Sequence, residues 1–263
     1  FCPGKEATYV AEMLPAQANE CSILPYKEAS KLLGRKGLRY KDQATLLALV
    51  AAKKVLTCAD ALMLSEADKI RTAVIVSSNL SNVDTVVENA QIIAQNHVNE
   101  TSAMALPNAS SNAVSASIAI VNGLKGPNLM LCNGKDSGLD ALKLAIDLMS
   151  ANRADRVLVI GVEVTNNIIA AIFPTQKVRF NGAAGYLIEA NRSTSQSGIK
   201  ALAQLGTSLS KDSAVSAAEV FEHCGDASGA TGVLQLILAA EYAKRGESRT
   251  VAIGAKHWQV DSV

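Results

Sequence analysis

Residues 123–142 read GLKGPNLMLCNGKDSGLDAL, and they decide the fold. Gly126 and Pro127 stop whatever precedes them, NLMLC is a short apolar strand, and NGKDSG is a sharp polar turn. LDALKLAIDLMSANRAD then continues as a helix with spaced apolar positions. RVLVIGVEV, residues 156–164, follows as a β-branched strand. Strand, turn, helix and strand make a βαβ unit with parallel strands. A strand that delivers one polar residue onto a Gly-flanked turn opening a helix has the geometry of a nucleophile elbow: the turn presents a side chain and the helix N-terminus supplies N–H groups. The residue presented is Lys135. A cation sits badly at the positive end of a helix dipole, so Lys135 is a nucleophile only with a depressed pKa; the other readings are a surface lysine or a structural plug.

Outward from the elbow, helices and strands alternate. ATLLALVAAKKVLTCADALML (44–64) and VDTVVENAQIIAQNHV (83–98) have helical periods and flank a strand, RTAVIVSS (71–78). PNASSNAVSASIAIVNG (107–123) predicts a buried small-residue helix beginning near Pro107. Ala7–Met13 is a strand candidate, and GRKGLRYK (34–41) is a basic run, either a solvated face or a surface steering an acidic partner. Downstream, FNGAAGYLIEA (180–190), IKALAQLG (199–206) and TVAIGAKHWQV (250–260) read as strands around a helix, GATGVLQLILAAEYAKRG (229–246). The order strand, turn, small-residue helix, strand occurs at 129–164 and again at 199–260. This predicts two related halves, 1–195 and 196–263, packed as one unit of class α/β.

Composition narrows the function classes. With 263 residues and 49% apolar content a sizeable core is available, while 25 basic against 24 acidic residues leave no broad field to grip nucleic acid or an anionic membrane. No run reaches the roughly 18 apolar residues of a membrane span. Five scattered cysteines without a CxxC and three distant histidines exclude the usual zinc spacings, so neither a metal nor a cofactor is expected. An odd cysteine count with no secretory leader points to the cytoplasm, although the chain begins at Phe1 rather than Met. His223 beside Cys224 suggests a dyad on paper, but on a strand such neighbours face opposite ways. Cys132, in an apolar run, reads as a core thiol.

The elbow resembles that of the thiolase-fold β-ketoacyl synthases, T-A-C-x-S-G-L-x-A after a G-P dipeptide and a strand. Gly126-Pro127, Ser137-Gly138-Leu139 and Ala141 match; Lys135 stands where the family has its cysteine. PNASSNAVSASIAIVNG resembles the segment before the elbow, ADRVLVIGVEV the strand ending in G-x-E, and NGAAGYLIEA a later glycine-rich strand. GDASGATG resembles G-H-T-x-G-A-x-G, with Asp226 where the family has its second histidine. The first histidine, in H-G-T-G-T, has no counterpart between Gly198 and Gly225.

This resemblance implies a thiolase-like α/β/α/β/α fold with a shortened C-terminal half. It implies a chain length factor of type II polyketide systems, in a shortened form like those of aryl polyene or anthraquinone-type systems, non-catalytic and paired with an active ketosynthase that receives an acyl carrier protein. Lys135 and Asp226 are then degenerate active-site positions, expected to meet as an ion pair, with capping of the next helix the alternative role for Asp226. Met104, Leu106, Pro107, Ser110 and Ser111 are tunnel-lining candidates; Asn128, Leu129, Met130, Leu131 and Cys132 are interface candidates near the two-fold axis. A small acyltransferase with an unusual active site, or a non-enzymatic scaffold or regulatory protein, remain open as alternatives.

Overall fold

The computed structural model describes residues 26–59, 61–173, 179–190, 203–208, 214–253 and 256–262. The strand expected at Ala7–Met13 and the half-boundary at 195/196 lie outside these. Helices α1 (Tyr26–Leu33), α2 (Gln43–Cys58) and α3 (Glu66–Ile70) lead into β1 (Thr72–Ser77). α4 (Val83–Asn96), α5 (Ala113–Asn122), β2 (Asn128–Leu131), α6 (Ser137–Ser150), β3 (Arg156–Glu163), α7 (Asn167–Ile172) and β4 (Gly182–Glu189) complete the first sheet and its cover. β5 (Ala203–Ser208), α8 (Ala217–Cys224), α9 (Thr231–Lys244), β6 (Arg249–Ile253) and β7 (Lys256–Ser262) follow.

The first sheet has the order β2-β1-β3-β4. β2 and β3 both run parallel to β1, as the βαβ reading requires, and β4 is antiparallel to β3 from Arg156↔Glu189 to Glu163↔Gly182. β1 and β3 are buried at every position because both faces of the sheet are covered. Period-2 alternation sends Ala73, Ile75, Val157 and Val159 into one core with α6 and α9, and Val74, Val76, Leu158, Ile160 and Val162 into another with α2 and α5. Each fully buried Val, Leu or Ile contributes about 1.5–3 kcal/mol.

The second sheet, β5-β7-β6, is antiparallel, and its Val251 and Val260 join the core of α6 and α9. The described residues thus supply four layers, α/β/α/β. The central layer is held at a crossing of two glycines. A Cβ on Gly138 would stand 2.6 Å from the Val233 nitrogen and 2.8 Å from the Gly232 Cα; one on Gly232 would stand 2.6 Å from the Gly138 carbonyl carbon. Backbone lies on backbone there, so α6 and α9 meet where neither can carry a side chain.

Three local expectations are corrected. The segment from Pro107 is not yet helix: residues 106–109 form a separate 3₁₀ turn and α5 begins at Ala113, because Ser and Asn side chains between them bond locally. The closing strand is a hairpin of β6 and β7. His223 and Cys224 lie on helix α8, opened by a capping box in which Ser216 accepts from the Glu219 N–H and the Glu219 carboxylate from the Ser216 N–H.

Candidate functional site

The C-terminal ends of β1, β2 and β3, with the turns after them, converge where the elbow motif and the GDASGATG motif face each other. β2 stops at Leu131, whose carbonyl accepts from the Ser78 N–H at 3.1 Å. Gly134 then takes φ +70, a left-handed conformation that glycine adopts at little cost, and a 3₁₀ turn over Gly134–Asp136 runs into α6. The Ser137 hydroxyl accepts from the Asn133 N–H at 2.6 Å and donates to the Gly134 carbonyl at 2.8 Å, closing the turn. The elbow expected from sequence is therefore built.

Lys135 is exposed at the tip of this turn and has no hydrogen-bond or ion-pair partner among the described residues. The expected ion pair with Asp226 is not formed. Asp226 is half-buried, and its carboxylate accepts from the Ser228 N–H, two residues on, at 3.1 Å. Nor does it cap α9: the N-cap is Ala230, with no side-chain bond, and a 3₁₀ turn over Ser228–Ala230 intervenes. The physical reason is that a lysine leaving the elbow toward solvent keeps its hydration, whereas reaching inward would cost the desolvation of both charges.

Asn79, in the turn after β1, spans the gap instead. Its amide nitrogen donates to the Gly134 carbonyl and to the Ser228 hydroxyl, both at 2.9 Å, and its oxygen accepts from the Gly134 N–H at 3.1 Å. One carboxamide thus ties the elbow to the Asp226 turn. Beneath it lies Glu163, the acid of the G-x-E motif. Sequence reading passed over Asn79 altogether. A polar residue just beyond a buried parallel strand was the available signal, since ligands and catalytic groups gather at that end of α/β sheets.

Among the other candidates, Cys132 is exposed rather than core; partial burial pushes its thiol up, against the hydrogen bond from Ser111. Cys224 is buried and its thiol is pushed up to about 11, while the His223 Nδ1 lies 2.7 Å from the Glu219 carbonyl, so the two make no dyad. Met104, Leu106, Pro107 and Ser110 are exposed and Ser111 is half-buried, all on the irregular segment before α5. Asn128 is exposed, and Leu129, Met130 and Leu131 are half-buried on β2. β2 is an edge strand, with no strand on its outer side among the described residues. Beside it on α5, Ile120 is 79% and Val121 49% exposed. No group of three metal-ligating side chains occurs among the described residues, and no helix there is long and apolar enough to cross a membrane.

The family described as beta-ketoacyl synthase, N-terminal domain, matches residues 27–177. No curated protein matches the chain. Among solved structures, the ishigamide ketosynthase/chain length factor is similar at TM-score 0.65 and 20% identity, over 95% of this chain and 88% of that one. The AntDE:AntF complex, a type II PKS acyl-carrier protein with its ketosynthase bound to the hexaketide, is similar at TM-score 0.70 and 12% identity, over 91% and 89%. The ketosynthase ApeO in complex with its chain length factor ApeC, from Xenorhabdus doucetiae, is similar at TM-score 0.54 and 14% identity, over 92% and 83%. At these identities the likeness establishes a thiolase-like ketosynthase fold.

Proposed function

The chain belongs to the β-ketoacyl synthase family, and from that premise we propose that it is a non-catalytic chain length factor, pairing with an active ketosynthase in type II polyketide biosynthesis and helping to shape the elongation tunnel. One observation carries this reading: the elbow is intact as a scaffold but presents an exposed lysine, without a partner among the described residues, where the family resemblance places the nucleophilic cysteine. No hydrogen-bonded base among the described residues activates this amine as a nucleophile. The opposing turn carries Asp226 where the resemblance places a histidine, and that carboxylate is engaged with its own backbone.

Pairing is supported by the open edge of β2 and the bare apolar face of α5 beside it. Unpaired strand edges and contiguous exposed apolar side chains are what association covers, and obligate interfaces typically bury about 2,000 Å² or more. Two of the solved structures similar in fold are described as ketosynthase with chain length factor, and a third as a ketosynthase with its acyl-carrier protein. An acyl carrier protein therefore meets this chain through the complex.

The test is co-expression with candidate ketosynthases, followed by intact mass spectrometry after exposure to acyl-loaded carrier protein. The expected result is a stable heterodimer in which only the synthase acquires the acyl mass. A stoichiometric adduct on Lys135 would refute the non-catalytic reading, and a monodisperse monomer at micromolar concentration beside every synthase would refute the pairing.

A further inference from the structure

Val83 packs against the core of α2 and α5, and Val114 is enclosed in it, but no side chain of residues 84–113 is part of either apolar core. Residues 85–107 comprise most of α4, a 3₁₀ turn over Val98–Glu100 and the start of the turn at 106–109, and none of them is buried. Among the described residues, every hydrogen bond they make is to another residue of 82–110, and none of them forms an ion pair. What ties this excursion down lies at its root. The Asn82 amide donates to the Ala109 carbonyl at 2.7 Å, the Asn166 amide to the Asp84 carboxylate at 3.2 Å, and the buried Asn108 amide to the Tyr40 carbonyl. Asparagine is favoured at helix N-caps, yet Asn82 makes no cap bond to α4, because its side chain is turned to Ala109 instead.

The far end of α4 is strained. The helix closes at His97 with φ +99 and ψ 159, a combination natural to glycine, and strain of that kind persists only where the surroundings impose it. His97 is exposed, and so are Ile93, Val98 and Met104 on either side of it in the chain. A helix of this length standing alone in water is marginal, since packing of an apolar face is what ordinarily sustains it. We infer that residues 85–107 form a hinged arm, which opens as one unit when the clasp between Asn82 and Ala109 parts, while both sheets stay closed. Release of the turn at His97 favours the open form, and the three amide contacts at the root favour the closed one. Opening exposes no core residue, so its cost is confined to the root. The arm carries Met104, Leu106 and Pro107. On the proposed function these line the elongation tunnel, and the wall they form is then adjustable, yielding to a growing chain instead of setting one depth. That consequence rests on the tunnel reading, whereas the arm itself does not.

Amide hydrogen exchange of the full chain without a partner tests the arm separately from pairing and from the tunnel. The amides of residues 87–96 are expected to share one protection factor, at least about a hundredfold below that of amides inside β1 and β3. Asn82→Ala removes the clasp but no cap bond, so it is expected to lower the shared value by about fivefold while leaving β1 and β3 unchanged. His97→Gly relieves the strained turn and is expected to raise the shared value by about fivefold or more, again with β1 and β3 unchanged. Protection in α4 as strong as that in β1 overturns the arm. Protection that falls steadily from the middle of α4 to its ends shows fraying of a fixed helix and overturns it as well, even if Asn82→Ala does not fold. Unchanged values in both folded variants overturn the hinge.

Discussion

Arg156 opens β3 with its side chain 5% exposed, clasped by Glu189, itself 6% exposed, and by Asp68 at 2.6 Å. A charge at this depth is retained only because its partners are in place, and Glu189 already has one oxygen, Oε2, without a partner among the described residues. Arg156→Met leaves the Glu189 carboxylate buried alone and is expected to destabilise by about 3–5 kcal/mol, while Arg156→Met with Glu189→Leu falls close to wild type. Thermal or urea unfolding of the three chains checks this, and an equal loss in the single and double variants would contradict it. The contrast with Lys135 is one of solvation. Both are basic residues at strand or helix ends, but Arg156 is enclosed and dependent on its partners, whereas Lys135 is hydrated and independent of Asp226. Sequence pattern does not separate these two situations, because the direction a long side chain takes from a turn is decided by the desolvation it would incur.

The elements were legible where period and punctuation agreed. β1, β3 and β4 stood out as β-branched or glycine-bounded runs, and the β2–turn–α6 elbow as a strand meeting Gly134 and the Ser137-Gly138 start of a helix. α5 was misplaced at its start because Pro107-Asn108 opens a 3₁₀ turn as readily as a helix, and the serines after it bond to nearby groups rather than to a helical ladder. The strand at 250–260 concealed two antiparallel strands, since β6 and β7 are both rich in β-favouring residues. α8 was readable from Ser216 and Glu219, a capping box at helical spacing, but the adjacent His223-Cys224 pair drew attention to chemistry. The crossing of α6 and α9 supplies the prediction at this scale. Gly232→Ala sets a methyl against the Gly138 backbone, which cannot yield as a side chain would. A loss at or beyond the upper end of the usual 1–3 kcal/mol for overpacking, roughly 3 kcal/mol, is expected. Gly206→Ala, with nothing within 4 Å of the added carbon, is the control and is expected to stay within about 0.5 kcal/mol. Similar unfolding midpoints for the two variants would mean that the helices are not pinned at this crossing.

For the molecule as a whole, the fold class and the site's framework were visible in the order of motifs, while the node that joins them was not. Asn79, Glu163 and Ser228 lie far apart in the chain; the pairing of β1 with β3 brings the first two together, and the 3₁₀ turn before α9 packs Ser228 against them. The segment before α5 belongs to this scale as well, because the tunnel wall proposed for it would be shared with a second chain. Ser110 is exposed there, its hydroxyl donating to Asn112 at 2.6 Å, so a larger side chain projects outward without disturbing either core. In the complex with a ketosynthase, Ser110→Phe is expected to shorten the polyketide released while leaving heterodimer yield unchanged; an unaltered product profile from a well-formed complex removes this segment from the gate.

The glycine crossing bears on how such a chain changes over time. The positions where the family resemblance places acyl-transfer groups hang from two turns, Lys135 exposed and Asp226 half-buried, with room at each for another side chain. Gly138 and Gly232 allow no such exchange, because any added atom lands on the opposite backbone. On the proposed non-catalytic role, drift erodes the reaction first and the architecture last, and the shape left is the one a synthase partner would meet.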